Sequence, residues 1–164
     1  MNAPDETAPA AEPIVRIVRM FDAPVDVVYR AWTDPAQMAQ WWGPHGFDNP
    51  TCELDPRPGG RFYIVMRGPD GSLYPCVSTF RDVVPNVRLI YQMRVDPNHD
   101  RKGNMPPECV HEITFEAVGA RTKLTVIARL QTFEGRDKLM DMGFTGGMGQ
   151  SLEKLAAIVS PAVT

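Results

Sequence analysis

Cys109 and His111 place a thiol and an imidazole two residues apart, inside a run, Cys109 to Ala117, where apolar and polar residues alternate. On a strand that spacing sends Cys109, His111, Ile113 and Phe115 to one face and Glu112, Thr114 and Glu116 to the other. His111 is thereby aimed inward. Burying a polar ring without a partner costs about 1–3 kcal/mol, so it is expected to meet Tyr91, Ser78, a backbone carbonyl, water or a ligand. Three roles stay open: a satisfied core histidine, a donor that orients a ligand, or a general base. The last needs an orienting group, and no carboxylate stands at a suitable inward position. Cys76 can face the same interior, which raises zinc. A fourth ligand and a second close pair are both missing, so no metal site is expected. His45 and His99 fall in loops with no partner that spacing can name. No phosphate-binding loop, nucleophile elbow or metalloprotease helix occurs, and no cofactor is expected.

The elements that must position these groups are legible in order. Ile14 to Phe21 is β-branched and reads as a strand. Asp22 is a candidate cap for a helix over Val25 to Thr33, with Pro24 at an early helical position. Val28, Ala31 and Trp32 share that helix's inner face. Asp34-Pro35 restarts the chain into a short helix, Ala36 to Trp42, which Gly43-Pro44 ends. Trp41 and Trp42 read as its anchor against the sheet, one ring inside and one partly exposed.

Strand signals then take over. Asp55 to Gly60 is a turn, with glycine supplying a positive φ and Asp55 within reach of Arg57 or Arg61. Arg61 to Arg67 puts Phe62, Ile64 and Met66 on one side. Gly68 to Gly71 is a turn. Leu73 to Val84 follows, then Val87 to Val95 with Leu89, Tyr91 and Met93 together. Asp96 to Pro107 is polar and reads as a mobile loop. Thr122 to Thr132 aligns Leu124, Val126 and Leu130. Short polar turns between strands favour antiparallel pairing. Gly135 to Val159 reads as one long helix. Met148, Leu152, Leu155 and Val159 keep an amphipathic period in its second half. Gly143, Gly146, Gly147 and Gly149 weaken its first half, at about 1 kcal/mol per interior glycine.

The expected architecture is α+β of the helix-grip type: a curved antiparallel sheet of about seven strands wrapped on the C-terminal helix, with two short helices after the first strand. Only that last helix is long enough to cover the apolar face. A helix across a strongly curved sheet leaves space in the middle. The lining of that space is expected to come from Phe62, Ile64, Met66, Tyr91, Met93, His111, Ile113, Phe115, Val126, Met148 and Leu152, unless these simply form a packed core. Tyr91 and His111 would be its few placed polar groups.

Bulk properties narrow the partners. The 164 residues suit one domain over 13–164, after a disordered tail over 1–12 that carries no signal-peptide pattern. The composition is 43% apolar and 23% charged, with a net charge of −3. A mildly acidic chain without a Lys/Arg cluster is a poor nucleic-acid binder. No stretch is long enough for a membrane span. Cys52, Cys76 and Cys109 are odd in number and widely spaced, which reads as reduced thiols in a cytoplasm. Exposed sheet edges leave monomer and homodimer both open.

The segments FDAPVDVVYRAWTDPAQMAQWWGP at 21–44, DPRPGGRF at 55–62, MRGPDGSLYP at 66–75 and FRDVVPNVRLIY at 80–91 carry a resemblance, completed by FEAVGARTKLTV at 115–126 and GQSLEKLAAIV at 149–159. Together they resemble the START-like, or SRPBCC, superfamily. Within it the chain resembles homologues of the heat-shock protein 90 ATPase activator, C-terminal domain type. The resemblance implies a helix-grip fold with an internal pocket and does not imply one chemistry. Relatives carry Gly-Trp where this chain has Gly147-Met148, so a softer wall is expected here. Three functions follow: binding of a small apolar ligand such as a lipid or polyketide; cyclase- or hydrolase-like catalysis through His111; or a co-chaperone-like module, tied to stress response, whose partner is a chaperone or client protein. The eukaryotic activator carries a further N-terminal chaperone-binding domain, so ATPase stimulation is the less expected role.

Overall fold

The alternating runs become strands because each can bury one face and leave the other in water. In the computed structural model, which describes residues 12–94 and 107–160, the strands are β1 (Ile14–Phe21), β2 (Asp48–Leu54), β3 (Arg61–Arg67), β4 (Leu73–Val84), β5 (Arg88–Arg94), β6 (Cys109–Val118) and β7 (Arg121–Leu130). They form one seven-stranded sheet in the order β1-β7-β6-β5-β4-β3-β2. Every neighbouring pair is antiparallel. Register shifts between Phe80 and Asp82 in β4, and between Asp48 and Thr51 in β2, mark bulges of the kind that bend a sheet.

Because β1 and β2 lie on opposite edges, the segment between them must cross the sheet. It does so as α1 (Val25–Thr33) and α2 (Pro35–Trp41). The Asp34 side chain accepts from the Ala36 N–H and caps α2. Asp22 does not cap α1: the N-cap is Pro24, which has no side chain to accept a bond. Trp32 and Trp41 are fully buried with ring centroids 4.7 Å apart. Trp42 is buried as well, 5.4 Å from the Phe62 ring, rather than partly exposed. The extended backbone after α2 turns it toward the sheet.

The helix expected over 135–159 is two helices. Thr132 accepts from the Gly135 N–H and starts α3 (Phe133–Asp141) ahead of the glycine. Gly143, at φ +87°, takes a left-handed conformation that ends α3 and opens α4 (Phe144–Val159). Met148, Leu152, Leu155 and Val159 face the sheet from α4, as their period requires. The tail over 1–12, apart from Glu12, and almost all of the 96–107 loop lie outside the described residues. Glu12 pairs with Arg129 at 2.7 Å.

Candidate functional site

Pleat and register bring the inward groups together. Tyr91 on β5 stands opposite His111 on β6, and Met93 stands opposite Cys109. Direct neighbours on one face sit close enough to bond. The Tyr91 hydroxyl lies 3.0 Å from His111 Nδ1, with both side chains buried. Burial pushes the Tyr91 hydroxyl well above its ordinary range and pushes His111 down to about 4. At neutral pH both are uncharged. Among the described residues, His111 Nε2 has no hydrogen-bond partner.

Beside His111 lies a cavity of about 230 Å³. Its floor is the sheet at Met66, Cys76, Met93, Cys109 and His111. Its roof is the glycine-rich start of α4, through Phe144, Gly147, Met148 and Ser151. Leu139, Met142 and Gly143 close one side, and Trp42, Gly43 and Pro44 close another. The wall is mainly apolar, with Arg94 and Met142 exposed at the solvent side. Gly147 is small where the roof meets this strap; a Cβ there would come 3.6 Å from Pro44 Cγ.

The strap is held down by polar contacts to α4. The Gly43 N–H donates to Ser151 Oγ at 2.9 Å, and the His45 N–H donates to Gln150 Oε1 at 2.9 Å. His45 Nε2 sits 3.1 Å from Glu153, and Lys154 Nζ donates to the Pro44 carbonyl at 3.4 Å. Burial also lifts the Cys109 thiol to about 12, so it stays protonated in the cavity wall.

The family model for activator of Hsp90 ATPase homolog 1-like proteins matches residues 22–160. The chain belongs to that family. A crystallised Nitrosomonas europaea protein is 29% identical with a TM-score of 0.80, over 90% of this chain and 94% of its own. An Arthrobacter aurescens protein is 26% identical, TM-score 0.80, over 96% and 94%. The AHSA1 protein from Silicibacter pomeroyi is 26% identical, TM-score 0.68, over 88% and 95%. No protein of curated function matches the chain.

On this family's helix-grip scaffold, Met66, Met93, His111 and Met148 line the cavity. Phe62, Ile64, Tyr91, Ile113, Phe115, Val126 and Leu152 do not line it. They belong to the packed cluster beneath α1, α2 and the second half of α4. The three tryptophans explain the difference: they fill the concave middle, and the space that remains is displaced toward the start of α4. Tyr91 sits one layer down, bonded to His111. Trp42, Gly43, Pro44, Leu139, Phe144 and Ser151 are lining residues that periodicity missed. Their signal lies in the helix breakers Gly43-Pro44 and Gly143, which say where helices stop but not what the freed segments cover.

Proposed function

We propose that this protein binds a small apolar molecule in the cavity between β3–β6 and the start of α4, without transforming it. The observation that supports the reading is a mainly apolar cavity lined by Met66, Met93 and Met148, with His111 in its wall. Binding would draw on about 25 cal/mol per Å² of apolar surface removed from water. The thioethers of Met66, Met93 and Met148 give a wall that adapts to shape.

Catalysis through His111 is the weaker reading. A buried histidine held near 4 is a poor base at neutral pH, and no carboxylate is among the described lining residues to orient it. A co-chaperone-like role has family membership behind it, and Phe133, Met140 and Met142 expose apolar surface on and beside α3.

Native mass spectrometry of freshly purified protein tests the proposal. A retained small molecule is expected on the wild type and should be absent from Met148→Trp, which fills the roof. A wild type that carries nothing and takes up no apolar probe would sink it. Capture of a chaperone that survives Met148→Trp but not Phe133→Ser would favour the surface role.

A further inference from the structure

We propose that the cavity is an oxidation-sensitive site: hydrogen peroxide converts the thioethers of Met66, Met93 and Met142 to sulfoxides, and the cavity then gives up its apolar occupant. The loss of the occupant rests on the ligand-binding reading above; the place of oxidation does not.

Sulfur is concentrated here. The chain has nine methionines and three cysteines in 164 residues. Half of them line this one cavity: Met66, Cys76, Met93, Cys109, Met142 and Met148. The thioethers differ in how open they are. Met142 is 38% exposed at the solvent side, Met66 and Met93 are half-buried in the floor, and Met148 is buried in the roof. Met66 Sδ lies against the strap, 3.0 Å from where a Cβ on Gly43 would stand. The thiols are poorer targets. Cys76 and Cys109 are buried, and burial keeps Cys109 protonated by lifting it to about 12, whereas the reactive form is the thiolate.

A thioether sulfur attacks one oxygen of hydrogen peroxide. The O–O bond breaks as the S–O bond forms, sulfur supplies the electron pair, and the second oxygen leaves as water with both peroxide protons. Each event oxidises one sulfur by two electrons and reduces one peroxide. A flexible apolar side chain becomes a polar, chiral one. In a mainly apolar wall the new oxygen must either stay hydrated, which keeps water in the cavity, or face the occupant unpaired. Met20 and Met140, 40% and 44% exposed, are not among the lining residues, and their sulfoxides would stand in water away from the cavity. They serve as internal controls.

Ethylbenzene is a probe of suitable size, since a cavity of about 150 Å³ accommodates benzene and this one is about 230 Å³. Calorimetry follows its binding before and after peroxide, at doses that leave the fold intact by circular dichroism. Each protein is compared with its own untreated state. Wild-type affinity should fall on the order of tenfold, the effect of one unpaired polar group facing the probe. The fall should vanish in Met66→Leu/Met93→Leu/Met142→Leu, which keeps apolar volume and has no thioether at these positions. It should persist in Met20→Leu/Met140→Leu. Peptide mass mapping of the wild type needs no variant: saturating ethylbenzene should slow oxidation of Met66 and Met93 and leave the rates at Met20 and Met140 unchanged. A full loss in the triple variant, unchanged affinity once Met66, Met93 and Met142 are oxidised, or no protection by the probe overturns the inference while leaving apolar binding in place. Untreated protein that takes up no ethylbenzene overturns the ligand-binding reading, and the proposed loss of the occupant with it.

Discussion

Lowering the pH from 7 to 4 should cost the folded state about 3 kcal/mol through His111 alone. The unfolded chain takes up this proton near the ordinary 6.5, and the folded protein not until about 4. Between those values the unfolded state binds more protons, so stability falls as pH falls. The contribution is intact above pH 6.5 and fully lost below 4. At about 1.4 kcal/mol per pKa unit the whole gap is worth about 3.5 kcal/mol, of which about 3 is lost by pH 4, where the folded form is half titrated. The cause is burial: the ring is 1% exposed, and among the described residues its hydrogen-bond partner is the uncharged Tyr91 hydroxyl. Urea unfolding at steps from pH 7 to 4 measures this on wild type and His111→Phe. Asp48 and Asp70, held low by Arg67 and by the Ser72 N–H respectively, titrate in both proteins and drop out of the comparison. With a slope of about 2 kcal/mol per molar urea, the wild-type midpoint should fall on the order of 1–2 M further than the variant's. His111→Phe also loses the Tyr91 bond, but that loss is the same at every pH. Equal pH slopes for the two proteins would refute the burial argument.

Three other predictions rest on separate observations. In the 55–60 turn, Gly60→Ala should unfold the protein at a much lower denaturant concentration than Gly59→Ala. A Cβ at Gly60 would sit 1.9 Å from the Asp55 carbonyl oxygen, whereas at Gly59 nothing lies within 4 Å and only its φ of +85° resists, at about 1–2 kcal/mol. Thr122→Val keeps shape but strips the donor from the buried Ala23 carbonyl, bonded at 2.8 Å, and should cost about 1–3 kcal/mol in chemical denaturation. Thiol alkylation at pH 8 should be slow at Cys109 and Cys52, which burial holds near 12 and 11, and rapid once denaturant is added; fast labelling of the folded protein would contradict their burial.

Most elements could be read from the chain because their causes are local. The alternation in β6 needs only the two-residue pleat, and Cys109, His111, Ile113 and Phe115 are all buried as it requires. The turn glycines and the inward period of Met148, Leu152, Leu155 and Val159 are equally local. The break at Gly143 was harder to see. Several glycines weaken the same stretch, and only the placement of Leu139 against Val15, Cys109 and Leu130 in a second core cluster selects which one bends.

The candidate site was half visible. His111 and its Tyr91 partner follow from alternation plus the demand that buried polar groups be paired. The position of the cavity does not follow, because it depends on volume. Trp32, Trp41 and Trp42 had to be located in the concave middle before the space could be assigned to the other end. Leu152 and Val126 point inward as expected, yet they meet other side chains there.

The sequence by itself determined which residues face inward, where turns fall and that a late amphipathic helix must cover the sheet. These depend on backbone periods and on residue-specific dihedral preferences. Tertiary structure alone decided that β1 closes onto β7, that the Gly43–His45 strap is tied to α4, and that the cavity lies under the start of α4. Those outcomes turn on contacts between segments about a hundred residues apart and on how completely side chains fill a shared volume, which no local pattern encodes.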